Sequence, residues 1–191
     1  YGLEIHPGTS FFHDQQIREM QSERSVLERE LYLQALHKTA SMSLIQYEVS
    51  NFAKADFQSR SNLKVWDGQP YLGLGCGAHS FDGVNRWGNV RSMRKYMESV
   101  GREEPPRDFM ETPTRLQQAS ERLMLSLRRP EGLNILSWQE EFKIGLSLEQ
   151  KNQMEKLKDQ DLVSWESPIL KLTTEGMLLA DAITAELMPE A

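Results

Sequence analysis

The chain has 191 residues, a formal net charge of −6 and a single cysteine, with 39% hydrophobic and 26% charged residues. This is the composition of an ordinary globular protein, and no apolar run approaches the roughly 18 residues that a membrane-spanning helix needs. The lone Cys76 excludes a disulfide framework, a cysteine-rich zinc site and an iron–sulfur cluster held by this chain alone, because each needs several thiolates. An unpaired cysteine and the lack of a signal-peptide pattern favour a cytoplasmic location.

The first hundred residues alternate strand and helix patterns. Residues 1–5 predict a strand, and the capping box Ser25-x-x-Glu28 predicts the start of a helix over residues 25–42. Further strands are predicted over residues 44–49 and 71–75, and a helix over residues 90–100. This order is typical of an α/β protein with parallel strands. Because the chain begins with Tyr1 inside a predicted strand, we expect it to be the C-terminal piece of a longer protein.

The net charge differs between the two halves of the chain. Residues 1–100 carry 11 Lys and Arg against 11 Asp and Glu, whereas residues 101–191 carry 11 against 17. The segment GREEPPRDFMETP, residues 101–113, is rich in charge and proline, as domain linkers are. We therefore predict one domain over residues 1–100, a linker over 101–112 and a second domain over 113–191.

The second domain is predicted to be helical. A helix begins near Thr112-Pro113, a second spans residues 134–142, and a third starts at the capping box Ser147-x-x-Gln150. A hairpin over residues 163–172 and a last helix over 175–188 complete a winged-helix-like pattern. The domain's acidic balance argues against nucleic acid as a partner, since DNA binding requires excess Lys and Arg.

The glycine-rich segment GLGCGAHS, residues 73–80, is the sharpest local motif. It matches the G-x-G-x-x-A dinucleotide fingerprint, but turn sequence follows it where that site needs a helix. Two interpretations stay open: a loop whose backbone approaches a ligand, or a tight connection without one. Cys76 is expected to be a small buried residue, and His79 is the histidine whose position suggests a role.

Glu48 is an acidic residue in an otherwise apolar strand. Alternation places Gln46, Glu48 and Ser50 on one face, opposite Tyr47, Val49 and Asn51. Such a polar face suits a barrel lumen or the mouth of a site, and equally a solvent-facing edge strand.

A basic cluster follows the glycine segment and consists of Arg86, Arg91, Arg94 and Lys95. It is interpreted either as a solvated helix face or as a set of cations for the carboxylates or phosphates of a ligand.

Four segments together resemble one family. They are YGLEIHPGT (residues 1–9), QYEVSNFA (46–53), YLGLGCGAHS (71–80) and LTTEGMLLAD (172–181). In this order they resemble the radical S-adenosylmethionine heme chaperones (HemW) and, less closely, the related oxygen-independent coproporphyrinogen III oxidases (HemN).

The resemblance implies an α/β fold: the C-terminal part of a partial (β/α) radical-SAM barrel, followed by a mostly helical, winged-helix-like domain. It also implies a [4Fe–4S] cluster on three cysteines and S-adenosylmethionine on the open iron. Those cysteines are absent here, so this chain should supply no metal ligand and should not be catalytically competent alone. The predicted cofactor-binding residues are Glu4, Tyr47, Glu48, Gly75, Gly77, Ala78 and His79.

The heme-associated segment of the family, His-Asn-x-x-Tyr-Trp, is altered here. Asn62 and Trp66 are kept, whereas Ser61 and Val65 stand where the family has His and Tyr. Neither replacement can ligate iron. Asn62, Trp66 and His79 are therefore the predicted heme residues, with His79 as a substitute ligand.

The expected function is that of a fragment of a heme chaperone that, when whole, binds the cluster, S-adenosylmethionine and heme, and passes heme to an acceptor protein not identified from the sequence. Two alternatives remain: a coproporphyrinogen III oxidase, which performs radical decarboxylation, and an acidic winged-helix module that recruits a protein partner. No nucleic acid partner and no integral membrane segment are expected.

Overall fold

The computed structural model describes Ser10 and residues 21–189. In the first helix, it describes side chains only from residue 26 onward. The predicted strand over residues 1–5, and with it Glu4, lies outside the described residues. The chain divides into two compact units, of which the first ends at Gln58 and the second begins at Ser59. Among the described residues, no helix is both long enough and apolar enough to cross a membrane.

The first unit contains a helix and a hairpin. Helix α1 spans Gln21–Ser41, so Ser25 lies inside the helix and does not cap it. Strands β1 (Ile45–Glu48) and β2 (Asn51–Ala53) pair antiparallel around a turn at Val49 and Ser50. The Gln46 side-chain amide donates to the Tyr32 hydroxyl at 2.8 Å and so connects β1 to α1. Burial raises the pKa of Tyr32, and the Gln46 bond opposes part of that rise.

The second unit opens with a helix and a three-stranded sheet. Helix α2 spans Arg60–Trp66 and is capped by Ser59. Strands β3 (His79–Phe81) and β4 (Arg86–Asn89) form a hairpin, α3 spans Met93–Gly101, and β5 spans Arg107–Glu111. The strand order is β3-β4-β5, and both pairings are antiparallel.

The mixed α/β composition is confirmed, but two predictions about strands are wrong. Residues 71–75 form no strand; only Tyr71 pairs, through a single antiparallel bridge with Phe81. Gly75 and Gly77 have φ values of +100° and +70°, which take the backbone out of the extended region. The strands are also not parallel: the pairings among the described residues are antiparallel. Short turns join β1 to β2 and β3 to β4, and strands joined in this way pair antiparallel, since parallel pairing requires a long crossover.

The remainder of the second unit is a helical domain with a small sheet. Its helices are α4 (Arg115–Leu127), α5 (Ile135–Phe142), α6 (Leu148–Asp159), α7 (Thr174–Leu178) and α8 (Ala180–Glu186). Strands β6 (Leu133–Asn134), β7 (Val163–Glu166) and β8 (Ile169–Leu172) form an antiparallel sheet in the order β6-β8-β7. Three helices with a hairpin wing are the predicted winged-helix-like arrangement.

Helix capping explains most of these boundaries. The capping box of Ser147 and Gln150 is present as predicted, while α4 is capped by Thr114 through a box with Gln117 and not by Thr112. The last predicted helix is two helices, because Leu179 leaves helical geometry between them.

The domain division with a linker over residues 101–112 stays a prediction. Within that segment, every residue of strand β5 is exposed, and the strand is hydrogen-bonded to β4. The hydrophobic core, by contrast, lies from Ala119 onward, apart from Tyr47 and Ala53 in the first unit. Trp138 is the largest fully buried side chain, and its indole N–H donates to the Ala119 carbonyl at 2.9 Å.

Gly176 permits the closest backbone approach in this core. A Cβ at this position would lie 1.9 Å from the Leu162 carbonyl oxygen. Gly176→Ala should therefore destabilise the protein by about 1–3 kcal/mol, since a backbone oxygen cannot rotate away. Gly145→Ala is the matched control, because a Cβ there meets no atom within 4 Å. Equal urea midpoints for the two variants would contradict this packing.

Asp82 fixes the turn between β3 and β4. Its carboxylate accepts the backbone N–H groups of Val84 and Asn85 at 2.8 and 2.6 Å. These bonds lower the pKa of Asp82. Its stabilising contribution is therefore full above the unfolded-state value of about 3.9 and is lost as the pH falls through the lower folded value.

Thermal melts at several pH values test this turn. Asp82→Ala should lower the melting temperature at neutral pH, and the difference from the parent protein should shrink below about pH 4. Asp108→Ala, at an exposed acidic residue of β5, controls for the lost charge. A difference that persists unchanged in acid would show that ionised Asp82 does not hold the turn.

Candidate functional site

The three glycines of the motif direct their backbone N–H groups to partners within the protein. Gly73 donates to the Ser80 hydroxyl at 2.9 Å, Gly75 to the Tyr96 hydroxyl at 3.1 Å and Gly77 to the Val90 carbonyl at 3.0 Å. A phosphate cradle uses free backbone amides. These three amides are already engaged, so they do not form such a cradle.

Asn89, which the sequence analysis did not single out, holds the other side of this loop. Its side-chain amide, buried at 8% exposure, donates to the carbonyls of Gly75 at 2.9 Å and Gly73 at 3.4 Å. Its backbone N–H donates to the Ala78 carbonyl at 2.8 Å. No sequence pattern pointed to Asn89, because β4 reads Arg-Trp-Gly-Asn and shows no apolar run or alternation.

The loop packs closely against β3 at Gly73 and is open to its surroundings at Gly75. A Cβ on Gly73 would lie 2.1 Å from the His79 carbonyl oxygen, whereas one on Gly75 would meet no atom within 4 Å. Cys76, between Gly75 and Gly77, is exposed. The expectation that it is buried is therefore wrong, because the bonds of its neighbours hold the loop at the surface.

His79, on β3, is exposed and contacts an aromatic ring. Its imidazole meets the Phe109 ring of β5 edge to face, with centroids 5.5 Å apart and an interplanar angle of 61°. The imidazole is therefore oriented by a neighbour and accessible to a ligand. Phe109 was not predicted, because it lies in the segment interpreted as a linker.

Tyr47 and Glu48 lie in the first unit and are both buried, with 9% and 1% exposure. The predicted alternation of faces is wrong here: β1 ends at Glu48, with a bulge between Gln46 and Glu48. The Glu48 carboxylate accepts the Ser50 backbone N–H at 3.0 Å and so closes the turn to β2. The other predicted cofactor-binding residues in the structure, Gly75, Gly77, Ala78 and His79, belong to the second unit.

Asn62 and Trp66 lie four residues apart on α2, and hence on the same face of that helix. The residue after Trp66, Asp67, is held from α4 and the turn that follows it. Arg122 of α4 donates to the Asp67 carbonyl at 2.8 Å, and Arg129, two residues after α4 ends, pairs with its carboxylate. The end of α2 that carries Trp66 is thereby fixed to the helical domain.

Two members of the predicted basic cluster pair with carboxylates of the chain. Arg86 lies 2.8 Å from both Glu111 and Glu121, and Arg94 pairs with Glu98 one helical turn later. Burial by itself would lower the pKa of Arg86, but the two carboxylates outweigh it and the pKa is raised. Arg86 therefore carries a compensated charge and is not a free anion site.

The residues present do not fit an iron–sulfur cluster. Cys76 is the only cysteine of the sequence. Within residues 21–189, moreover, no three His, Cys, Asp or Glu residues are grouped so that they could hold a metal ion.

Replacing Asn89 tests what holds the loop. Asn89→Ala removes a buried donor from two carbonyls and should cost about 1–3 kcal/mol of stability. It should also speed hydrogen exchange at Gly75 and Gly77. Asn152→Ala, at an exposed position of α6, is the control. Unchanged exchange in Asn89→Ala would mean that the loop is held by other contacts.

No known protein-family profile matches the chain. Individual relatives do. The heme chaperone HemW of Bacillus subtilis is 29% identical over all 191 residues, which cover 50% of that protein. HemW of Mycobacterium tuberculosis is 31% identical over 142 residues, or 74% of this chain and 34% of that protein. A mitochondrial radical S-adenosyl methionine domain-containing protein 1 of Danio rerio is 26% identical and matches 100% of this chain and 45% of that one.

One solved structure has the same fold over most of the chain. Coproporphyrinogen III oxidase (HemN) from Escherichia coli, a radical SAM enzyme, superimposes with a TM-score of 0.65 at 16% identity, over 82% of this chain and 39% of that one. The chain thus spans about half the length of the first curated relative. The sequence relatives and this fold agree: the chain is similar to the HemW-like radical S-adenosylmethionine proteins.

Proposed function

We propose that this chain is the heme-handling part of a HemW-like heme chaperone. The observation that carries the proposal is the similarity to a protein named heme chaperone over the full length of this chain. In the whole protein, heme would be bound as cargo and passed to an acceptor protein. The cluster would be held by residues outside this chain, because a single cysteine cannot hold it.

His79 is the residue we propose as the heme ligand. Imidazole is a common axial ligand of heme iron. The structure describes two histidines, His37 on α1 and His79, and both are exposed. His79 differs in that it lies beside an aromatic ring on a sheet. Asn62 and Trp66 would contribute an amide and an aromatic surface from α2.

For S-adenosylmethionine we propose contacts from Gly75, Gly77 and Ala78 of the second unit. The cofactor-binding roles of Glu4, Tyr47 and Glu48 stay predictions from the family resemblance. The open space beside Gly75 supports contact on that side of the loop, where no side chain intervenes. The bound sulfonium would supply the family's cofactor chemistry. This chain's residues would position it.

The alternative of coproporphyrinogen oxidation has weaker support. The likeness to that enzyme is one of fold at 16% identity, whereas the relatives that match by sequence include several heme chaperones. The third alternative, a protein-interaction module, concerns residues 113–191. Heme binding that depends on His79 would place cargo recognition outside that domain.

Heme titration tests the proposal. The chain should form a complex with a shifted Soret band, and His79→Ala should weaken it by about tenfold or more, since even outer-shell partners of a metal are worth that much. His37→Ala is the matched control and should bind as the parent protein does. If the parent protein gives no Soret shift, or if both variants behave alike, heme binding through His79 is refuted.

A further inference from the structure

We infer that Phe109 is the residue that positions His79 for heme, and that Gly88 makes this possible. The inference rests on the proposed function and adds to it a residue and a mechanism of orientation. Neither Phe109 nor Gly88 belongs to the predicted site.

The sheet register brings the three residues into one row. His79 of β3 pairs with Gly88 of β4, and Gly88 pairs with Phe109 of β5. Residues directly opposite each other in antiparallel strands point to the same face. The imidazole and the phenyl ring are thus on one face of the sheet, two strands apart, with a glycine between them.

Gly88 provides the space that lets the two rings meet across the middle strand. A Cβ at Gly88 would lie 2.4 Å from Cε1 of Phe109 and 3.2 Å from its Cζ. The phenyl ring therefore lies directly over the backbone of β4. From there it reaches the imidazole edge to face, with centroids 5.5 Å apart. Any larger residue at position 88 would displace the ring from this contact.

The rings are held in place while remaining accessible. Phe109 keeps 40% of its surface exposed, and every residue of β5 is exposed. Phe109 is therefore held by its contacts across the sheet and not by burial in a core. A fixed imidazole loses less rotamer freedom when it binds iron, so its orientation in advance favours ligation.

The charges nearest to the two rings on this face are paired with each other. One row along the same face, Arg86 pairs with Glu111 of β5 and with Glu121. The opposite face of the sheet contains Trp87, over which the Arg107 guanidinium lies at 4.8 Å. The uncharged surface beside His79 is thus the Phe109 ring itself.

Heme titration of four variants tests the inference. Phe109→Leu removes the ring but keeps an apolar side chain, and should weaken heme binding about three- to tenfold, as loss of an edge-to-face contact does. Gly88→Ala should act in the same direction by displacing the ring. Phe109→Tyr keeps the ring and should bind within about twofold of the parent protein. Met110→Leu, at the next residue and on the opposite face, is the control and should bind unchanged.

A measurement made without heme distinguishes a change in the orientation of His79 from a general loss of structure. The imidazole proton resonances, identified by their loss in His79→Ala, should shift in Phe109→Leu because the ring current is gone, and stay in place in Met110→Leu. If they do not move, or if Phe109→Leu binds heme as tightly as Met110→Leu, the role of Phe109 is refuted while heme binding through His79 stands. If the parent protein binds no heme, the proposed function fails first, and the positioning role for heme fails with it.

Discussion

The candidate site depends on one requirement: the backbone of the glycine loop must find hydrogen-bond partners where no regular strand can supply them. Positive φ values at Gly75 and Gly77 take the chain out of the sheet. The amide of Asn89 and the hydroxyls of Ser80 and Tyr96 then replace the ladder bonds that were lost. Because unpaired buried backbone groups are costly, these three side chains determine the path of the loop, and with it the start of β3 and the position of His79.

The second unit is stabilised in two different ways. From Ala119 onward a hydrophobic core built around Trp138 holds the helices together. Residues 59–112 depend instead on strand pairing, on the loop bonds and on the attachment of Asp67 to Arg122 of α4 and to Arg129 just after it. Apolar side chains such as Leu72, Leu74 and Phe109 consequently stay exposed. A region without a core of its own leaves apolar surface for a planar ligand or for another part of a longer protein.

The roles that we propose for the two parts of the second unit follow from this difference in how they are stabilised. The helical domain fixes the end of α2 through Arg122 and Arg129, while the sheet presents His79 and Phe109 on an accessible face. Cargo binding and structural support would thus belong to different parts of the same unit. Arg86, which looked like a candidate anion ligand, instead connects β4 to β5 and α4 through its two carboxylate partners.

Sequence patterns predicted those elements that are stabilised by contacts within a few residues along the chain. The capping box at Ser147, the helix predicted over residues 134–142 and the hairpin wing formed where the pattern placed them, because caps and helical periodicity act within a few residues. The α/β class and the resemblance to the HemW family were also contained in the sequence. The direction of strand pairing could not be predicted from the sequence, since it depends on which strands become neighbours in the fold.

His79 could be selected from the sequence because it follows three closely spaced glycines, and Asn62 and Trp66 because they match a family segment. Asn89, Gly88 and Phe109 could not be selected from the sequence, because their roles depend on contacts between strands. The Asn89 amide reaches carbonyls 14 and 16 residues away, and the Phe109 ring lies over Gly88 of the neighbouring strand. The sequence by itself determined which residues have the side-chain chemistry that the proposed heme binding needs. Only the tertiary structure decided which side chains orient them, because long-range contacts between strands leave no periodic pattern in the chain.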